Sequence, residues 1–371
     1  MTELSFEPDR LDDQAFLEEA DPGGMLRAVA SSAAQIRMAY RASIEAGVPG
    51  VAADGRPRAV VVSGVGGAGI AGDMLAAICG HATPLPIMTV RAYHLPGWVG
   101  AADLVVAVSR SGATEEALAV ATEAVRRGCR LLAVGAEGSP LEAVARQASA
   151  PYVRVQATGP SRMALWALSI PLIVMAAALG LTRAGEDVCE VAAGRLEDVA
   201  HRCRPGSESF INPGKTLAME LAGTVPMIWG SSPIATVAAR RLADQLHENA
   251  KYPAMWGDIP EVTHNQMATL DGPLAVRDLF AEGPSRTLRL FVLRDVDEYP
   301  GVARRREVSV RLAQDRHVPV SEILAEGGHP LERLAALIGL GDYASVYLAL
   351  GYGLDPAPVP SITELMARIT Q

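Results

Sequence analysis

Lysine is nearly absent from this chain. Only Lys215 and Lys251 occur among 371 residues, and arginine supplies the rest of the 33 basic side chains. The net charge is −9, and no basic run exceeds Arg304-Arg305-Arg306. A broad nucleic-acid surface is therefore not expected, because neutralising phosphates needs clustered Lys and Arg. An anionic ligand has to be held by a local device instead. Cysteine is also scarce: Cys79, Cys129, Cys189 and Cys203 show neither C-x-x-C nor zinc-ligand spacing, so single reduced thiols of a cytosolic protein are expected. None of the seven histidines has another at i+3 or i+4, which disfavours a helical zinc site, and no metal or cofactor is expected. The acidic start MTELSFEPDRLDDQAFLEE has no apolar core, so a signal peptide is not expected.

What is present suffices for sizeable cores: 49% of residues are apolar and 20% charged. At about 150 residues per domain this length suggests two lobes. The run from Met163 to Leu181 carries no charge, and its length would span a bilayer. Pro171 interrupts it and arginines flank both ends. The expectation is a helix buried inside protein, with no membrane partner.

The order of elements defines the class. Residues 1 to about 57 read as helical. Short β-branched or apolar runs then follow at Arg58–Ser63, Leu85–Val90, Leu104–Ser109, Arg130–Val134 and Tyr152–Val155. Helical segments Ile70–Cys79, Thr114–Arg127 and Leu141–Gln147 separate them. Alternation of this kind predicts an α/β lobe with a parallel sheet covered on both faces. After the apolar helix and a charged one at Glu186–Arg202, the pattern recurs. Its strands are Thr224–Trp229, Thr287–Leu293 and Val318–Val320, and its helices Ile234–Lys251 and Ala303–Asp315. Helices at Leu331–Tyr352 and Ile362–Arg368 close the chain. We divide it at 157/158: N-terminal helices and first lobe in 1–157, linking helices, second lobe and C-terminal helices in 158–371.

Ligands of such folds sit where strands turn into helices. One such turn, Ser63-Gly64-Val65-Gly66-Gly67-Ala68-Gly69, lets backbone amides approach an anion at a helix start. Gly64, Gly66 and Gly69 also satisfy G-x-G-x-x-G, so an NADP-dependent oxidoreductase is one alternative. The following strand ends in Arg91 rather than an acid, which would suit only a phosphorylated ribose. Glycines serving tight strand–helix packing are another alternative. The second turn, Ser109-Arg110-Ser111-Gly112-Ala113-Thr114-Glu115-Glu116, sets three hydroxyls around a glycine at a strand's end. Such donors can wrap a phosphate dianion together with the helix start. If Thr114 were only an N-cap, the paired serines would lack a purpose.

These residues resemble a known family. SRSGATEE is similar to the phosphosugar loop of sugar isomerase (SIS) domains, and the glycine turn to the GMGGSGIAGD segment of bifunctional phosphoglucose/phosphomannose isomerases. The likeness continues through Pro160-Ser161-Arg162, His247-Glu248-Asn249-Ala250-Lys251, Thr263-His264-Asn265-Gln266, Gly341-Asp342-Tyr343 and Asp355–Val359. It covers nearly the whole chain, in order. The resemblance implies two flavodoxin-like SIS lobes, each a parallel sheet covered by helices, in a homodimer. It implies interconversion of glucose 6-phosphate or mannose 6-phosphate with fructose 6-phosphate.

The resemblance assigns Glu248 as the proton-transfer base and His264 as the group that opens the sugar ring, in the neighbouring subunit's site. Arg162 is assigned to face the reacting oxygens, and Gly66, Gly67, Ser109, Ser111 and Thr114 to hold the phosphate. The residues suit these tasks: a shielded carboxylate can shuttle a carbon-bound proton, and imidazole exchanges protons near neutral pH. Arg240, Arg241 and Asp258 are left as solvated surface. Three positions depart from the family pattern: Ala68 where it has Ser, Gln266 where it has Glu, and Met366 where it has Lys, with Arg368 on another face. They leave open a rival, a non-catalytic sugar-phosphate binder.

Overall fold

Five short runs of the first half pair side by side as a parallel sheet in the computed structural model, whose described residues are 5–156, 159–275 and 287–369. They are Val60–Ser63 (β1), Ile87–Val90 (β2), Leu104–Ser109 (β3), Arg130–Gly135 (β4) and Tyr152–Arg154 (β5). Their order is β2-β1-β3-β4-β5, the flavodoxin-like arrangement whose switch point falls between β1 and β3. Every residue of β1 and β3 is buried, as central parallel strands require when helices cover both faces. The covering helices include Ser32–Glu45 (α3), Gly67–Cys79 (α4), Glu115–Arg126 (α5) and Pro140–Gln147 (α6). Ahead of α3 lie Gln14–Ala20 (α1) and Met25–Ala30 (α2).

The uncharged run forms Leu165–Ala178 (α7), after a 3-10 turn at Ser161–Ala164. Its residues from Leu165 to Ala176 are all buried, against α3 and α4 among others. Pro171 lies inside it. A second helix long and apolar enough to cross a membrane, Pro330–Gly351 (α12), is likewise mostly buried within protein.

The second sheet uses Thr224–Gly230 (β6), Met255–Asp258 (β7), Thr287–Arg294 (β8) and Val320–Leu324 (β9), all parallel, in the order β7-β6-β8-β9. Glu186–Arg202 (α8) precedes it, most of that helix grouping with the first sheet, and with the second go Pro213–Leu221 (α9), Pro233–Ala250 (α10), Pro300–Asp315 (α11), most of α12 and Pro360–Ile369 (α13). Start signals in the sequence operate as written. Pro stands at the first helical positions of α6 and α10, where its missing N–H costs nothing, and the preceding Ser139 and Ser232 accept backbone amides. The strand expected at Val318–Val320 begins later, at Val320. The Val318 amide instead donates to the Ala313 carbonyl and closes the end of α11. Neither α9 nor β7 was expected from the sequence.

By internal contacts, one unit comprises Ser31–Leu196 and Gly328–Glu332, the other Met1–Ala30, Glu197–Gly327 and Arg333–Gln371. This grouping differs from a division at 157/158. α7 packs on α3 and α4 of the first sheet, while the first helices belong with the second. Lys215, on α9, shows how that N-terminal segment is held. Its buried ammonium donates to the carbonyls of Pro205 (2.8 Å) and Ser207 (2.7 Å) and to Asp12 Oδ1 (3.2 Å). Burial pulls the Lys215 ammonium below its usual range despite Asp12.

Candidate active site

At the carboxyl ends of β1 and β3, the two expected anion-binding turns lie on neighbouring strands, where Ser63 is in register with Ala107, two residues before Ser109. Gly66 adopts φ 56° and ψ −132° at the head of α4, where among the described residues no side chain caps the helix. Its first amides, Gly67 among them, are backbone donors at a helix start. Ser109 is buried, Ser111 exposed and Thr114 half-buried. Ser109 Oγ lies 2.7 Å from Thr114 Oγ1 and 3.5 Å from Ser111 Oγ, so the three hydroxyls converge. Ser111 Oγ also accepts the Ala113 amide at 3.2 Å.

The structure adds residues that the sequence pattern did not reveal. Gly112 sits at φ +63°, and a Cβ there would lie 2.1 Å from Ser139 Oγ. Ser139 Oγ is 2.9 Å from Tyr152 Oη, which donates to the Ala136 carbonyl at 2.7 Å. The Gly112 carbonyl accepts the Leu141 amide at 2.9 Å. The hydroxyl turn is thus backed by the turn into α6 and by β5. The one local signal was Ser139-Pro140-Leu141-Glu142, legible as a helix start but silent about its neighbour.

Arg91 does not present itself to a ribose phosphate: it is paired with Asp73 and donates to the Gly69 carbonyl at 3.1 Å. Arg162 is buried on the 3-10 turn that packs against α3, α4 and α7, in the same unit as both anion-binding turns.

Glu248 and His264 belong to the other unit. Glu248 is half-buried in the last turn of α10. Residues beside Glu248 tie that helix to α12. Arg241 is buried and bonds both oxygens of Asp342 (3.0 and 3.2 Å), and Asn249 Nδ2 donates to Ser345 Oγ at 2.9 Å. Arg241 is therefore not solvated surface; spaced two helical turns before Asn249, it shares the face that α10 turns toward α12. Burial pushes the Asp342 carboxyl above its usual range even with Arg241 beside it. Lys251 ends α10 in the left-handed conformation, φ 54°, and donates to the carbonyls of Asn249 and Asp355, each at 3.0 Å.

His264 is exposed on a 3-10 turn, Glu261–His264, after β7. Arg305 Nη1 lies 3.5 Å from its Nε2 and donates to Thr263 Oγ1 at 2.9 Å. Gln266 accepts the Trp229 indole N–H at 2.7 Å and donates to the Trp256 carbonyl at 3.0 Å. An ionised Glu there could accept the first bond but not give the second. Met366 is 56% exposed on α13. Among the described residues no three of His, Cys, Asp and Glu gather as a metal site.

Comparison with known proteins gives the family and the fold. Residues 210–369 match the bacterial phospho-glucose isomerase C-terminal SIS domain. A bifunctional phosphoglucose/phosphomannose isomerase of Caldicellulosiruptor bescii is 30% identical over 312 residues, 84% of this chain and 89% of the relative. This chain belongs to that family. Two solved structures show the same fold at lower identity. The tagatose-6-phosphate ketose/aldose isomerase of Escherichia coli aligns with a TM-score of 0.63 at 15% identity, over 93% of this chain and 95% of its own. The C-terminal domain of glucosamine-fructose-6-phosphate aminotransferase from Francisella tularensis aligns with a TM-score of 0.65 at 13% identity, over 90% and 98%.

Proposed function

We propose that this phosphosugar isomerase interconverts glucose 6-phosphate or mannose 6-phosphate with fructose 6-phosphate through a cis-enediol. The observation that carries the reading is the convergence of Ser109, Ser111 and Thr114 beside the Gly66–Gly67 helix start. Those groups bind the phosphate. Relatives named for this activity support the choice of sugar.

In the reaction Arg162 faces the sugar oxygens and His264 protonates the ring oxygen as the C1–O5 bond breaks, the anomeric hydroxyl giving its proton to solvent to leave the C1 aldehyde. Glu248 then takes the C2 proton of the open aldose. The freed pair forms the C1–C2 double bond, and the C1 carbonyl oxygen takes a proton from solvent, to which the O2 proton later returns. Collapse of the enediol expels the O2 proton, and the Glu248 carboxyl returns its proton to C1. Glucose and mannose phosphates differ only at C2, so both reach one enediol. Carboxylate and imidazole complete these transfers without metal or other cofactor. We place the enzyme in the cytoplasm as a homodimer in which His264 serves the neighbouring subunit's site; neither a nucleic acid nor a membrane is a partner.

Met366 replaces a family ammonium, and Ala68 a phosphate-binding hydroxyl. Both favour reduced turnover, and in the limit a sugar-phosphate binder without catalysis. A coupled fructose 6-phosphate assay, paired with titration of each 6-phosphosugar, separates these outcomes. Binding with no turnover establishes the binder, and no binding overturns the proposal.

A further inference from the structure

The second sheet repeats the architecture of the first around its own switch point. In the first, Ser63 ends β1 and is in register with Ala107; two residues on comes Ser109, then Arg110 and Ser111. In the second, Gly230 ends β6 and is in register with Leu293; two residues on comes Asp295, then Val296 and Asp297. The clamp's Ser-x-Ser is answered, position for position, by Asp-x-Asp.

The surroundings of Asp295 are those of a bound anion. Oδ2 accepts the hydroxyl of Ser232, the residue that caps α10, at 2.8 Å. Oδ1 accepts the Val296 amide at 2.7 Å and lies 2.8 Å from Arg333 Nε. Ser231 Oγ accepts the Asp295 amide at 3.1 Å. Asp295, Ser231 and Arg333 are all buried, and Arg333 Nη2 reaches Asp297 at 2.7 Å. The capping hydroxyl of Ser232, the Val296 amide and a buried guanidinium therefore surround one carboxylate, whose own backbone amide is held by Ser231.

We infer that this second crevice is an anion site filled by the chain's own carboxylate, which restricts each chain to one phosphate. Asp295 and Asp297 repel a phosphate dianion and take up the cation that would hold it. The inference rests on reading the Ser109 turn as the phosphate clamp. Replacing both aspartates by serine rebuilds Ser-x-Ser beside Arg333 and opens the site.

Inorganic phosphate is the probe, titrated by calorimetry and 31P NMR into wild type, D295S/D297S and the isosteric D295N/D297N. Expected are one phosphate per chain in wild type and two in D295S/D297S, the new site surviving addition of S109A/S111A. Phosphate should also raise the melting temperature of D295S/D297S more than that of wild type, because it replaces the carboxylates around Arg333. Two phosphates per wild-type chain overturn the inference. So does one phosphate per chain in a D295S/D297S variant that unfolds cooperatively; D295N/D297N, whose amides still fill the crevice, should stay at one. Wild-type binding left intact by S109A/S111A is a different failure: it overturns the clamp itself.

Discussion

Thr114 stands at the N-cap of α5, yet its hydroxyl bonds Ser109 Oγ at 2.7 Å instead of an amide of its own helix. A residue type chosen for capping is thus turned back toward the strand end. Thr114→Val should leave the melting temperature within about 2 °C, whereas loss of a true cap costs about 1 kcal/mol, several degrees in a domain of ordinary size. The same substitution should weaken sugar-phosphate binding. In Ser109→Ala plus Ser111→Ala the loss should reach several kcal/mol, each bond to a charged group being worth about 1.5–3 kcal/mol. Calorimetry with glucose 6-phosphate checks both, and unchanged affinity in the double variant would refute the assignment.

Gly112→Ala tests the support of the turn. The added methyl meets Ser139 Oγ, and the backbone stays at φ +63°. Strained left-handed residues cost on the order of 1–3 kcal/mol, so urea unfolding should show a loss of that size, with phosphate affinity falling in parallel. Combining it with Ser139→Ala should recover little, because the Ser139 Cβ would still lie 2.4 Å from the new methyl.

For Glu248 the decisive readout is isotopic. Glu248→Gln should stop exchange of the C2 proton with deuterated solvent, while sugar-phosphate affinity stays within about tenfold, ~1.4 kcal/mol. Exchange that persists moves the base elsewhere.

Met366→Lys asks whether the missing ammonium limits the rate. Because Met366 is more than half exposed, lysine can be accepted there with a stability change within about 0.5 kcal/mol. Charge stabilisation of the enediolate is worth about 10²–10³ in rate, so at least a tenfold gain in turnover is expected, without a comparable change in binding. A wild-type rate already matching efficient isomerases would show that the lysine is not needed.

Lys215→Met removes the donor to the Pro205 and Ser207 carbonyls and should cost about 1–3 kcal/mol in urea unfolding at pH 7. Burial raises the Asp12 carboxyl, but Ser209 and Lys215 outweigh it and hold it below its usual range. A depressed carboxylate stabilises the fold above its unfolded pKa, and that contribution is lost as pH falls through the folded value. The acid-side loss should therefore be smaller in Lys215→Met than in wild type, and a pH series of unfolding curves measures it.

Both sheets were legible because β-branched strands alternate with helices of ordinary length, and the phosphate turns because glycines and hydroxyls cluster at strand ends. Other features depend on partners far away in the chain. Arg241 reads as a surface charge until Asp342, a hundred residues later, is set against it. Ser139 and Tyr152 look like a cap and a strand residue, and only folding puts them behind Gly112. Asp295 looks like any loop acid until the register of β6 and β8 gives it the position in the second sheet that Ser109 holds in the first.

The way the chain is shared between its two units has a consequence during synthesis. Nearly all of the first-sheet unit is one continuous stretch, Ser31–Leu196, available soon after it leaves the ribosome. The other unit draws on both ends: the Glu7 amide donates to the Gly351 carbonyl at 3.0 Å. Its opening helices must wait for the helix that ends at Gly351. At about 5–20 residues per second that delay is on the order of ten seconds or more, during which α1 and α2 lack the surface they will cover.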